Sequence, residues 1–277
     1  MEISTTSISA RHPQARRDAP DALVNATITI KHGEQVAIIG PSGAGKTTLL
    51  NLLSCALVPT QGSVTLDNKN PWQLSPRALK TLRGQLYVAS QVPPLPPRQR
   101  VITAVLAGSL PAMSFIESIA SLIYPKNIAG AHAALAMFDL DSKIFDRVDR
   151  LSGGERQRVG LARTLLSPST LWLIDEPLSA LDPTRAKQAM DTMTNQARER
   201  NVTLVVTLHQ VEVALARFPR VIGLRDGLVA FDLPAHEVTP EKLNQLYEQY
   251  EDELTGAPPA SDDLTIAPAT VAVMHCR

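Results

Sequence analysis

Apolar residues fall along this chain in two rhythms, and the changes between them mark its elements. Ala26-Thr27-Ile28-Thr29-Ile30 alternates apolar and polar side chains, the period of a half-buried strand, and His32-Gly33-Glu34 closes it. Gln35-Val36-Ala37-Ile38-Ile39 is almost continuously apolar, as in a strand covered on both faces. A Gly-rich turn follows, and the spacing then predicts a helix over 46–57. Short strands are predicted over 62–67 and 85–90, and a helix over 153–166 that Pro168 stops. Leu171-Trp172-Leu173-Ile174 reads as another buried strand, 185–200 as a helix, 202–208 as a strand, and 220–232 as a hairpin turning at Asp226-Gly227. Strands alternating with helices predict an α/β fold with a mostly parallel sheet.

The run Val92-Pro93-Pro94-Leu95-Pro96-Pro97 fits neither a helix nor a central strand and marks a boundary. Beyond it, 101–139 is helical in pattern with Pro and Gly breaks, so an inserted helical subdomain is expected over about 92–165. Residues 1–20 are polar, Ser/Thr-rich and irregular, and read as a flexible arm. Residues 251–277, rich in Ala, Pro and Asp, read as a disordered tail, leaving 21–250 as the folded domain. The most apolar stretch, 101–124, is interrupted by Pro111 and Glu117, and no run is long enough to span a bilayer. Any membrane role is therefore expected to come through a partner.

Composition narrows the classes further. With 277 residues, 44% of them hydrophobic, the chain can bury a large core. Lys plus Arg and Asp plus Glu are both 27, and this balance gives no general pull toward nucleic acid. The two cysteines, Cys55 in an apolar run and Cys276 near the end, fit a reduced cytosolic chain and not a disulfide framework.

Gly40-Pro41-Ser42-Gly43-Ala44-Gly45-Lys46-Thr47 matches the phosphate-binding loop pattern G-x-x-x-x-G-K-[ST] and lies between a predicted strand and a predicted helix. Small residues are needed because backbone N–H groups must wrap the phosphates, and a Cβ at the glycines would block that approach. The helix start, which includes Thr48, adds its positive dipole end. Lys46 is expected to reach the β- and γ-phosphates, and the Thr47 hydroxyl to ligate Mg²⁺. Asp175-Glu176 ends an apolar strand, where ligands of open α/β sheets sit. Alone, such an acidic end is a cap or a solvated turn. Beside the phosphate loop, Asp175 is expected to hold Mg²⁺ and Glu176 to act as general base on the attacking water.

Leu151-Ser152-Gly153-Gly154-Glu155-Arg156-Gln157-Arg158-Val159 resembles the signature of the ABC ATPases. Read without the family, Ser152 is only a helix N-cap before two glycines. The phosphate loop, Gln91 after a strand, Asp175-Glu176, Ser179-Ala180-Leu181-Asp182 and His209 follow in that family's order over roughly residues 20–250. The resemblance implies a P-loop NTPase (RecA-like) core with an antiparallel β subdomain and an inserted α-helical subdomain. It implies ATP and Mg²⁺ as ligands, and a head-to-tail homodimer in which the partner's Ser152, Gly153, Gly154 and Glu155 meet the γ-phosphate. Gln91 would sense Mg²⁺ and the lytic water, Asp182 would cross the dimer interface, and His209 would contact the γ-phosphate. The family's upstream aromatic for the adenine is absent, because no Phe, Tyr or Trp precedes Trp72. Counting back from Gly33 reaches Arg16 or Arg17. Arg17 is taken as the substitute, since a guanidinium can stack on a ring, with His12 as another candidate.

One nucleotide domain, without coiled coil or membrane spans, fits a separate transporter subunit bound peripherally at the cytoplasmic face of the inner membrane. Its expected partners are integral permease subunits and, indirectly, a periplasmic or lipoprotein solute-binding protein. Val105-Leu106-Ala107-Gly108-Ser109-Leu110, Leu208-His209-Gln210-Val211-Glu212 and Val221-Ile222-Gly223-Leu224-Arg225-Asp226-Gly227 resemble the phosphonate importer ATPases. The alternatives are the ATPase of another small-solute importer, or a soluble accessory subunit of a carbon–phosphorus lyase complex.

Overall fold

The computed structural model describes residues 1–16, 19–123 and 127–248. In chain order the strands and first helices are β1 (Ile3–Ala10), β2 (Leu23–Ala26), β3 (Thr29–Ile30), β4 (Gln35–Ile39), α1 (Lys46–Leu53), β5 (Gln61–Leu66), α2 (Pro76–Arg83) and β6 (Leu86–Ala89). The helical insertion follows as α3 (Val101–Leu106), α4 (Phe115–Ile123), α5 (Ile128–Ala136) and α6 (Gly153–Leu165). Then come β7 (Leu171–Asp175), α7 (Pro183–Glu199), β8 (Thr203–Thr207), α8 (Val211–Arg217), β9 (Arg220–Arg225), β10 (Leu228–Pro234) and α9 (Pro240–Tyr247).

Two sheets organise these elements. The larger has the order β10-β9-β4-β8-β7-β6 and is parallel from β9 to β6, with β10 antiparallel on its edge. The smaller is antiparallel and is built on β1, which pairs with β2, β3 and β5. Successive residues of β4 point to opposite faces of the sheet and so divide between two halves of the core. Ala37 and Ile39 face one cluster with Trp172, Ile174, Leu204 and Val206, while Val36 and Ile38 face another with Leu171, Leu173 and Val205. The first cluster continues into α3, α5, α6 and α7, and the second into α1, β1 and β5. Each fully buried Leu or Ile contributes about 1.5–3 kcal/mol, so covering both faces fixes the strand order at whose end the site lies.

The expected flexible arm over 1–20 is corrected, because 3–10 is strand. Ile3, Ile8 and Ala10 are fully buried, and the N-terminal Met1 is too. Thr5 lies on the buried face because its hydroxyl accepts from the Ile28 amide at 2.8 Å and reaches the carbonyls of Ala26 and Ile28. Ser7, at φ 47°, lies within the shift of register between Thr6 and Ser9, which breaks the alternation expected of a strand. The strand expected over 26–30 is split into β2 and β3. The disordered tail assigned to 251–277 lies outside the described residues.

Candidate functional site

The loop between β4 and α1 shows why the glycines were needed. Gly40 and Gly45 have φ of 151° and 100°. A Cβ on Gly45 would sit 2.5 Å from the Ala22 carbonyl oxygen, and one on Gly40 would overlap that of Leu224. The resulting concavity is lined by Ser42 through Thr48 together with His12, Ala22 and Glu176. Lys46 is nearly buried, and its Nζ donates to the carbonyls of Gly40 and Pro41 at 2.7 and 3.0 Å. A cation is therefore held inside the loop that must face phosphates.

Across from it, β7 delivers its two acids. Thr47 Oγ1 donates to Asp175 Oδ2 at 3.0 Å, and Thr207 Oγ1 donates to Asp175 Oδ1 at 2.6 Å. A hydroxyl and a carboxylate converging in this way supply the hard oxygen donors that suit Mg²⁺. Glu176 adopts φ 45°, left-handed backbone that an L-residue occupies at a cost of about 1–3 kcal/mol. Its amide donates to Thr207 Oγ1 at 2.9 Å, which holds the turn in place. Its Oε1 lies 2.6 Å from His209 Nε2. Burial pushes the Glu176 carboxyl up. The hydrogen bond from His209, with the charges of His209 and Lys46, outweighs burial and holds it below the usual carboxylate range.

The sign of that balance makes a prediction. Parent turnover should persist at acid pH until Glu176 protonates, below the ordinary range. Replacing His209 by Ala removes the largest opposing influence and leaves burial, so the acid limb of kcat should move to higher pH. A pH–rate profile with an unmoved acid limb would show that His209 does not set the charge of Glu176.

Ser152 caps α6 by a reciprocal pair. Its hydroxyl accepts from the Glu155 amide at 3.2 Å, and the Glu155 carboxylate accepts from the Ser152 amide at 2.8 Å. Those bonds pull the Glu155 carboxyl down, the backbone bond to Ser152 most of all. Glu155 is thereby committed to the cap, and the amides of Gly153 and Gly154 are left at the helix start, where no intrahelical partner exists. Asp182 caps α7 by accepting from the Arg185 amide at 3.1 Å.

The expected residues thus form two groups. Lys46, Thr47, Asp175, Glu176 and His209 converge. Ser152, Gly153 and Gly154 lie on α6 and do not line the phosphate-loop concavity, and neither do Asp182 and Gln91. Gln91 follows β6 and is exposed. Arg17 lies outside the described residues, while His12 lines the concavity. Sequence reasoning missed Thr207. Its only signal was a hydroxyl at the end of an apolar strand, and its role depends on the register that pairs Asp175 with Thr207.

Comparison with known proteins identifies the family. Residues 23–179 match the family model described as ABC transporter. The chain is 63% identical, over all of both chains, to "Phosphonates import ATP-binding protein PhnC 2" of Albidiferax ferrireducens. It is 60% identical, again over all of both, to "Phosphonates import ATP-binding protein PhnC" of Polaromonas sp.. Among solved structures, a dimeric ATP-binding cassette in a post-hydrolysis state, bound to ADP and Pi, superposes with a TM-score of 0.72 at 30% identity, covering 84% of this chain and 98% of that one.

Proposed function

This chain belongs to the ABC transporter family, and on that premise we propose that it is the ATP-hydrolysing subunit of an importer for phosphonates or a related phosphorus oxyanion. The observation that carries the ATPase is the meeting of Lys46, Thr47, Asp175, Glu176 and His209 at the carboxyl ends of parallel strands. The import reading is supported by the full-length similarity to the two named phosphonate proteins. Among the described residues no helix is long and apolar enough to cross a membrane, so translocation is assigned to separate permease subunits.

The loop amides and Lys46 bind the β- and γ-phosphates. Thr47 and Asp175 would hold Mg²⁺, whose charge offsets that of the phosphates, and Gln91, outside the concavity here, would join them only by moving inward. Water attacks the γ-phosphorus, the bond to the bridging oxygen breaks to release ADP, and Glu176 takes the water proton. The amides of Gly153 and Gly154 with the Ser152 hydroxyl, supplied by a second copy, complete the γ-phosphate contacts. Loss of that phosphate removes the bridge and the dimer reopens, a ligand-driven shift between two states.

The test is reconstitution in lipid vesicles with the permease and solute-binding protein. ATP hydrolysis is expected to rise when the binding protein carries a phosphonate and not when it carries sulfate. Equal stimulation by both would overturn the solute assignment, and co-purification with a soluble lyase core in place of a permease would overturn import.

The base contact is assigned to His12 in place of Arg17. His12 Nδ1 accepts from the Gln14 amide at 3.2 Å, which orients the ring at the mouth of the loop. Base–aromatic stacking is worth about 1–3 kcal/mol, so His12→Ala should weaken ATP binding about tenfold with little change in kcat. A loss of affinity on Arg17→Ala and none on His12→Ala would return the role to Arg17.

A further inference from the structure

Three elements that present functional groups at one end come together at the other. α6 starts after Ser152 and ends at Leu165, β7 starts at Leu171 and ends at Asp175, and α7 starts after Asp182 and ends at Glu199. One side chain joins the far ends, that of Arg200, the residue capping α7. Its Nη1 donates to the Leu165 carbonyl at 2.6 Å and its Nη2 to the Ser167 carbonyl at 2.9 Å. Its guanidinium carbon lies 5.2 Å from the centroid of the Trp172 ring, which is wholly buried in β7.

The chemistry suits the place. The last carbonyls of a helix lack intrahelical partners and carry the negative end of its dipole. A planar fork with two donors satisfies the last helical carbonyl, that of Leu165, and the Ser167 carbonyl in the turn that follows, and its face stacks on an indole as a cation over a π-system. None of these groups lines the phosphate-loop concavity, so the contact has no part in holding nucleotide on the same chain.

We propose that Arg200 is a positioning residue, pinning the carboxyl end of the signature helix to the root of the strand that carries Asp175 and Glu176. The helix then turns about this point when two copies close on ATP. At 1.5 Å per residue α6 is about 20 Å long, so a tilt of about 10° about a fixed end carries Ser152 about 3.5 Å. That distance separates a hydrogen bond to phosphate from none. With the pin removed, Ser152 samples more orientations and closure becomes costlier, while ATP binding to the chain's own Lys46 loop is unaffected. The inference rests on the dimer reading above.

The test uses Arg200→Lys, which keeps the charge but loses the fork and the flat face, and Arg200→Met, which loses all three. Arg200→Lys is expected to lower kcat about tenfold and Arg200→Met more, with the Mg-ATP dissociation constant, measured calorimetrically, within about twofold of the parent. In a Glu176→Gln background, ATP-driven dimerisation, followed by light scattering, should need about tenfold more protein for Arg200→Lys. Thermal unfolding checks that each variant folds, and if Arg200→Met does not, Arg200→Lys decides alone. An affinity that falls in step with kcat would overturn the proposal. A Glu176→Gln parent that stays monomeric with ATP overturns the dimer reading and this inference with it. A dimerising parent whose Arg200→Lys derivative dimerises equally well overturns the inference alone.

Discussion

Replacement of Glu176 by Gln is expected to lower ATP turnover by about a hundredfold or more while leaving ATP bound. The amide has the shape of the carboxylate and can still accept from His209 Nε2, which lies 2.6 Å from Oε1 in the parent. The backbone turn, set by the Glu176 amide on Thr207 Oγ1, does not involve the side chain. What is lost is the capacity to accept the water proton. Binding and closure persist without hydrolysis, so a stable ATP-bound dimer should accumulate. Phosphate release under saturating Mg-ATP measures the first effect and light scattering the second. Unchanged turnover would remove Glu176 from the role of base.

Gly153→Asp should be nearly as damaging for a different reason. A Cβ at Gly153 meets only Ala180 Cβ, at 3.9 Å, so the substitution leaves packing undisturbed. At Gly154 a Cβ would come 2.8 Å from the Ala180 carbonyl oxygen, and a change there would mix strain with chemistry. The aspartate at position 153 places a negative charge where the partner's γ-phosphate must dock, at the dipole end that otherwise attracts it. Like charges a few ångströms apart cost several kcal/mol at an interface, so turnover should fall about a hundredfold or more. On the proposal that the signature serves the other subunit's nucleotide, the ATP dissociation constant of the monomer should stay within about twofold of the parent. Loss of binding in the monomer would mean that Gly153 contacts nucleotide on its own chain.

How much could be read from the residues alone depended on whether a position's role is local. The phosphate loop was legible because its backbone demands glycine at positive φ, and that demand leaves a spacing in the chain. Asp175-Glu176 was legible because an apolar run in a parallel sheet ends where ligands bind. The first strand was missed because Ser4, Thr5, Thr6 and Ser7 look polar. Only the pairing with β5 and the bonds of the Thr5 hydroxyl to residues 26 and 28 make that segment part of the core. Thr207 was missed because its value lies in a register between two strands, and Arg200 because its partners, two carbonyls at and just past the end of α6 and the Trp172 ring on β7, meet only in the fold. The base contact was assigned to Arg17 by counting back along the chain; Arg17 lies outside the described residues, while the other candidate, His12, is brought to the loop by the segment before β2.

All of these expectations depend on an ATP site divided between two copies. The direct measurement is a structure of the Glu176→Gln chain with Mg-ATP. It should contain a head-to-tail pair in which the γ-phosphate held at Lys46 is also within hydrogen-bonding distance of the partner subunit's Ser152 and Gly154. Nucleotide bound with the partner subunit's Ser152 remote from it, in a chain that hydrolyses ATP at full rate as a monomer, would contradict the divided site.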